Sequence, residues 1–284
     1  MSERKPRPPS PRPEGNPIDT MNIGKHNWEK FGKKDPYYWV TTDSRYKDAK
    51  LKKNVQKHFF DSADKYLDSI FKVIQKHLDS SFHPERALDY GCGVGRVTIP
   101  LARRCNYVFG VDVAESMIAE AEKNRERYLL NNVDFTARTN SLPSLTDSFD
   151  FVHSIYVFQH IRAKQGLKTV IQLIDSLKEN GIGMLHFITF QSQKSIKKKI
   201  IYWLCVHIPL FNAMNNIRKG QSFSAPMYEM NNYPLNKLFE ILREKECSHI
   251  YVRHTKEGPY HGVMLFFQKK RGDHDDFTSL GEVL

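Results

Sequence analysis

The stretch Asp89-Tyr90-Gly91-Cys92-Gly93-Val94-Gly95 sets an acid directly before three glycines at alternate positions. Glycine suits a place where a ligand must come close to the backbone, or where a tight turn requires positive φ. The flanking residues give this loop a context. Apolar Ala87-Leu88 reads as the end of a buried strand and Val97 to Arg104 as a helix, whose first N–H groups and dipole suit a carboxylate or phosphate. A dinucleotide-binding loop would carry its third glycine where Arg96 stands; here the third glycine is Gly95. A second acid, Asp112, closes the next apolar run about 20 residues on, where a carboxylate accepts hydrogen bonds from ribose hydroxyls. A nucleoside ligand follows from the pair.

From Ala87 to Arg96 the sequence resembles the first motif of the class I S-adenosylmethionine (SAM)-dependent methyltransferases. The resemblance implies SAM as cofactor, with Asp89 and the loop residues Gly91, Cys92, Gly93 and Gly95 at its methionine end and Asp112 and Val113 at its ribose. After the third strand the family commonly carries an Asp for the adenine amino group. Asn140 stands there in this chain, followed by Ser141, and an amide oxygen accepts the same bond without charge. The fourth strand, Ser148 to Ser154, and the turn Glu179-Asn180-Gly181 also resemble the family, so that the likeness runs from about Ala87 to Phe190. Ser154 joins the expected cofactor set.

Methyl transfer from a sulfonium is an in-line displacement, so holding the nucleophile in line with the methyl carbon matters most. An amine or hydroxyl must also lose a proton, which favours a base beside it. Tyr156-Val157-Phe158-Gln159-His160 follows the fourth strand, near the expected methyl group, and makes His160 the candidate base and Tyr156 a candidate substrate contact. His160 as a packing or capping residue is the alternative. His153, inside the strand, reads as a core histidine. The segment after that strand lacks the Asn/Asp-Pro-Pro-aromatic motif of base-amine methyltransferases, the acidic pair that resembles arginine methyltransferases and the Asp-Asn pair of magnesium-dependent catechol enzymes. The expectation is a metal-independent transferase acting on O or N of a small molecule. An RNA methyltransferase and a noncatalytic SAM-binding scaffold stay open as alternatives.

These residues need a frame. Short apolar runs alternate with amphipathic ones after residue 83: strands near Arg86–Tyr90, Tyr107–Val111, Val133–Ala137, Phe149–Ile155 and Ile182–Thr189, with helices at Glu115–Leu130 and Gly166–Lys178. A helix at Leu235–Lys245 and strands at His249–Arg253 and Val263–Gln268 follow. The link between those two strands is too short for a crossover, so they should be antiparallel. The expected fold is α/β: a doubly wound, mainly parallel seven-stranded sheet with an antiparallel last strand, an N-terminal helical extension and a lid insertion after strand 5. The expected division is a tail over 1–20, an aromatic and helical extension over 21–82 with an amphipathic helix from Gln56 to Leu78, and a SAM-binding domain over 83–284 with an insertion at 191–232. The tail holds six prolines and little apolar material, too little to offset the entropy of ordering.

Charge and cysteine usage bound the partners. Four basic and three acidic residues leave +1 on the tail, so +10 of the formal +11 falls on the rest. A small-molecule acceptor is the expected partner, and nucleic acid is not. Residues 192–220 hold Lys194, Lys197, Lys198, Lys199, Arg218 and Lys219 without an acid. This segment is expected to close over the acceptor as a lid, the alternative being peripheral contact with an anionic membrane. Cys92, Cys105, Cys205 and Cys247 show neither a disulfide framework nor zinc spacing, and no signal or membrane-spanning stretch precedes or interrupts the domain, which leads to a cytoplasmic expectation.

Overall fold

The computed structural model describes residues 20–47, 52–137, 145–192 and 230–270, with isolated positions between 200 and 218. Its elements are α1 (Thr20–Lys34), α2 (Pro36–Thr41), α3 (Lys53–His77), β1 (Arg86–Tyr90), α4 (Thr98–Ala102), β2 (Tyr107–Val111), α5 (Glu115–Arg127), β3 (Val133–Thr136), β4 (Phe149–Ser154), α6 (Ala163–Asp175), β5 (Leu177–Gln191), α7 (Leu235–Glu244), β6 (Cys247–Glu257) and β7 (Tyr260–Lys269). The sheet order is β3-β2-β1-β4-β5-β7-β6. The first five strands pair in parallel, while β7 lies antiparallel between β5 and β6. The strand order turns back between β1 and β4, and ligands of open α/β sheets bind outside the carboxyl ends of the strands at such a reversal.

Both sheet faces are covered, as a mainly parallel sheet requires. One face packs Leu88, Val152, Leu185 and Phe267 against Leu173 and Ile174 of α6 and Leu238 and Leu242 of α7. The other packs Ala87, Val108, Phe151, Met184 and Phe266 against Leu67, Ile70 and Ile74 of α3 and Leu101 of α4. A third apolar cluster joins Phe31, Tyr37 and Tyr46 to Phe59 and Phe60 of α3 and to Ile99 and Met117. The aromatic stretch upstream of α3 is thereby explained. Its rings cover the apolar end of α3 and the flank of α5, and a side chain at Gly32 would collide with Ser116.

Several boundaries differ from the sequence expectation. The helix after the glycine loop is a single short turn, Thr98–Ala102, and the backbone bonds of Arg103 and Arg104 that close it tighten to three-residue spacing. The helix expected at Gly166–Lys178 starts at Ala163 and ends at Asp175. β5 then begins at Leu177, and the Glu179-Asn180-Gly181 turn is a bulge inside it, with Asn180 at φ 62 and a register shift opposite Phe149 and Phe151. β6 and β7 run longer than their apolar cores and meet across Gly258-Pro259. The tail over 1–19 and most of the 191–232 insertion, including all three lysines at 197–199, lie outside the described residues. No described helix is long and apolar enough to cross a membrane.

Candidate functional site

The glycine loop leaves β1 at its carboxyl end, with Gly91, Gly93 and Gly95 at φ 76, 53 and 79. A Cβ at Gly91 would collide with Val157, and one at Gly93 would stand 2.7 Å from Val40 Cγ2, so the post-β4 segment and α2 both close onto the loop. Cys92 is buried, and its N–H and that of Gly91 bond to the Val111 carbonyl of β2. Asp112, one residue past β2, accepts from Gly93 N at 2.9 Å through Oδ2 and from Ala114 N at 3.0 Å through Oδ1. Burial raises its pKa above the ordinary carboxylate value, outweighing the N–H groups of Ala114, Gly93 and Val113 that act in the opposite direction.

Asp89 is not an open carboxylate. Its Oδ2 accepts from Thr98 Oγ1 at 2.6 Å, and its Oδ1 lies 2.8 Å from His153 Nδ1. His153 stands beside it across the β1–β4 ladder, wholly buried, and its Nε2 lies 3.0 Å from Tyr66 Oη on α3. A neutral imidazole satisfies both bonds if Nδ1–H donates to Asp89 and Nε2 accepts from the tyrosine. The histidine read as core packing is the middle of a polar chain linking α3 to the loop. Ser154, also buried, donates to the Tyr90 carbonyl at 2.9 Å. Asn140 and Ser141 lie outside the described residues.

Tyr156 and His160 sit in one connection but face different neighbours. Tyr156 has φ 60, an unfavourable conformation for a residue with a Cβ, which here follows the strand that ends at the site. Its hydroxyl donates to Glu257 on β6, and its ring meets His186 of β5 edge-on at 5.0 Å. Burial, with the Glu257 charge, pushes its pKa up. His160 ends a 3-10 turn over Phe158–His160 and lies edge-on to Trp28 of α1, with ring centroids 5.1 Å apart. His186 bonds Thr255 Oγ1 at 3.0 Å, its Nδ1 has no partner among the described residues, and burial holds its pKa down at about 4. Tyr66, His186 and Glu257 escaped the sequence reading. The one available signal was polarity inside apolar strands, at His153 and His186.

Residues 87–181 match a family described as a methyltransferase domain. The magnesium-protoporphyrin O-methyltransferase of Synechocystis is 32% identical over 85 residues, which is 30% of this chain and 37% of that protein. A 23S rRNA (uracil(1939)-C(5))-methyltransferase of Pectobacterium atrosepticum is 26% identical over 171 residues, 60% of this chain and 32% of that protein. Another of the same name, from Alkalilimnicola ehrlichii, is 40% identical over 73 residues, 24% and 16% of the respective lengths. This chain thus spans between 16% and 37% of these relatives. Among solved structures, the magnesium protoporphyrin IX methyltransferase of Synechocystis with bound SAM superposes with a TM-score of 0.57 at 18% identity, covering 90% of this chain and 100% of that one. A SAM-dependent methyltransferase from Methanosarcina mazei gives 0.51 at 18% identity over 70% of this chain and 97% of that one. At these identities the structural likeness is one of fold.

Proposed function

Since the chain belongs to the class I SAM-dependent methyltransferases, we propose that it transfers the methyl group to an oxygen or nitrogen nucleophile of a small molecule. The observation that carries the acceptor class is Trp28 against His160. The acceptor-side histidine lies under a helix of the chain's own N-terminal extension, which suits a small acceptor entering a roofed pocket better than a base presented by a folded RNA. The protoporphyrin relative agrees with this reading. In sequence it is matched over 37% of its length, against 16% and 32% for the two ribosomal RNA relatives.

The residues fit SAM. Asp112 is a desolvated carboxylate with no ion-pair partner among the described residues, already aligned by backbone N–H groups, and two ribose hydroxyls would supply further donors. The positive φ of all three glycines gives a tight turn in which a Cβ at Gly91 or Gly93 would meet Val157 or Val40. When bound, SAM supplies an electrophilic methyl carbon on a sulfonium. Asp89, steadied by Thr98 and His153, keeps one lone pair on each oxygen for the methionine ammonium. Cys92 and Val113 contribute backbone contacts; Ser154 acts through the Tyr90 carbonyl it holds; and Asn140 and Ser141 are assigned the adenine from sequence. His160 takes the proton that the nucleophile loses, and Tyr156, oriented by Glu257, lines the acceptor side. Incubation with methyl-labelled SAM, a metabolite extract and total RNA tests this. Label is expected in a small molecule, and label confined to RNA overturns the acceptor class.

A second reading concerns the segment 192–220. Among the described residues seven large hydrophobics are exposed, and four of them, Ile200, Ile208, Met214 and Ile217, fall in this segment. That exposure, within a stretch of six basic residues and no acid, favours contact with an anionic membrane over the lid.

A further inference from the structure

α3 crosses its face of the sheet obliquely. Ser62 near its start accepts from Arg96 behind the glycine loop, Tyr66 meets His153 on β4, and His77 at its end stacks on Tyr251 of β6, with ring centroids 4.0 Å apart. β5 and β6 run in the same direction on either side of β7, and their carboxyl ends lie beyond these contacts. The side chain that spans those ends is Tyr156, whose ring meets His186 on β5 and whose hydroxyl donates to Glu257 on β6. Beside it, His186 reaches over β7 to Thr255 of β6, with Nε2 3.0 Å from Oγ1. The reach depends on Gly262 of β7, because a Cβ there would stand 2.8 Å from Thr255 Oγ1 and 3.3 Å from His186 Nε2.

His186 is 2% exposed, and its Nδ1 is buried with no hydrogen-bond partner among the described residues. A buried nitrogen left in that state bears the full desolvation cost of the group. Burial also keeps the ring neutral at ordinary pH. In a neutral imidazole one nitrogen donates and the other accepts, and which is which depends on whether the Thr255 hydroxyl gives or takes the proton at Nε2. A hydroxyl group serves Nδ1 in either case, since it both donates and accepts. A carboxylate or an ammonium has only one of these capacities and must shed its hydration to enter. Tyr156 holds its ring against His186 from a backbone at φ 60, and strain of this kind gathers at ligand clamps. Thr255 is half-buried and Glu257 exposed, so the cluster borders on solvent at the end of β6.

We propose that His186 Nδ1, walled by Tyr156 and backed by Thr255, receives a hydroxyl group of the acceptor and thereby selects which small molecules the enzyme takes. The inference rests on the small-molecule reading for the acceptor's place. His186 acts in recognition, with no proton to gain, and so differs from the base at His160.

The test uses the full chain saturated with S-adenosylhomocysteine and labelled with nitrogen-15 at histidine. Phenol is titrated, with toluene, benzoate and benzylammonium as controls, and NMR follows the histidine ring nitrogens. The His186 signals are identified by their loss in His186→Phe, which keeps a flat ring and removes both nitrogens. Phenol should move the wild-type Nδ1 signal while the two charged probes leave it in place. In His186→Phe the affinity for phenol should fall by about 10-fold, and toluene should bind both proteins alike. A wild-type Nδ1 signal that phenol leaves unmoved, or that all four probes move equally, overturns the subsite, as does equal phenol affinity in the two proteins. Should His186→Phe not fold, Thr255→Val at the sheet edge identifies the His186 signals through the loss of the Nε2 partner, and the wild-type titration decides alone. Protein that fails to bind S-adenosylhomocysteine rejects the cofactor reading instead, and the phenol titration still decides His186 without the nucleoside.

Discussion

The roles proposed for Asp112 and His160 are of opposite kinds, and their variants should separate. The Asp112 carboxylate is held by Gly93 and Ala114, so Asp112→Ala removes acceptors for two ribose hydroxyls without removing a structural ion pair. SAM and S-adenosylhomocysteine should both bind more weakly by about 1.5 to 3 kcal/mol, measured by calorimetry, and unchanged affinity would refute the ribose assignment. Because burial raises the Asp112 pKa, its acceptor capacity should begin to fail at a higher pH than for a free aspartate, and SAM affinity should decline as pH drops through that range. His160→Ala should lower turnover by about 10²-fold while leaving SAM affinity nearly intact. Wild-type turnover in that variant would reduce His160 to a partner of Trp28. The glycine-loop residues and Asp112 stood out in the sequence because they are contiguous or close an apolar run. His186 was legible only as a polar residue in an apolar strand, since whether its ring nitrogens find partners depends on residues such as Thr255, far away in the chain.

At the level of elements, the tie between α3, β4 and β1 is the polar chain Tyr66–His153–Asp89. Neither sequence distance nor periodicity announces it: Tyr66 belongs to an amphipathic pattern that reads as packing, and His153 meets Asp89 only through the parallel register of β1 and β4. Tyr66→Phe keeps the ring and leaves His153 Nε2 buried without a donor. It should cost about 1 to 3 kcal/mol, seen as a lower urea midpoint with an unchanged slope; no shift would mean that water or another group replaces the hydroxyl. The strands β1 to β4 were readable to within a residue or so because short apolar runs are bounded by polar and turn residues. The upstream helices were not. Pro36–Thr41 is too short to show a helical period, and its place depends on distant partners, with Tyr37 Oη 2.9 Å from both Glu120 and Asn124 on α5. The start of β5 was misread for a related reason, since the bulge at 178–181 looks locally like a turn and only the register with β4 makes it part of a strand.

Across the whole molecule the charge is uneven, and that asymmetry predicts where the protein works. Of the +10 carried beyond the tail, +6 falls on residues 192–220, where no acid offsets it. This stretch follows β5, whose carboxyl end lies at the candidate site, and begins beside Phe190, which is 59% exposed. An isolated exposed phenylalanine needs no explanation, but exposed apolar positions at Ile200, Ile208, Met214 and Ile217 in so basic a stretch suit the proposal of a segment that lies in a lipid interface. Each lysine near an anionic bilayer contributes on the order of 1 kcal/mol. Replacing Lys197, Lys198 and Lys199 with Gln should therefore lower binding to phosphatidylserine-containing vesicles by about 100-fold at low salt. Wild-type binding should itself weaken steeply as ionic strength rises and the charges are screened. Sedimentation with vesicles, run beside methyl transfer to a soluble acceptor, separates the two uses of the segment. Membrane contact predicts that the triple variant leaves the vesicle pellet while its turnover on the soluble acceptor stays at the wild-type level. A lid predicts the reverse, with vesicle binding absent or unaffected and turnover reduced, because a segment that closes over the acceptor acts on the reaction whether or not a membrane is present.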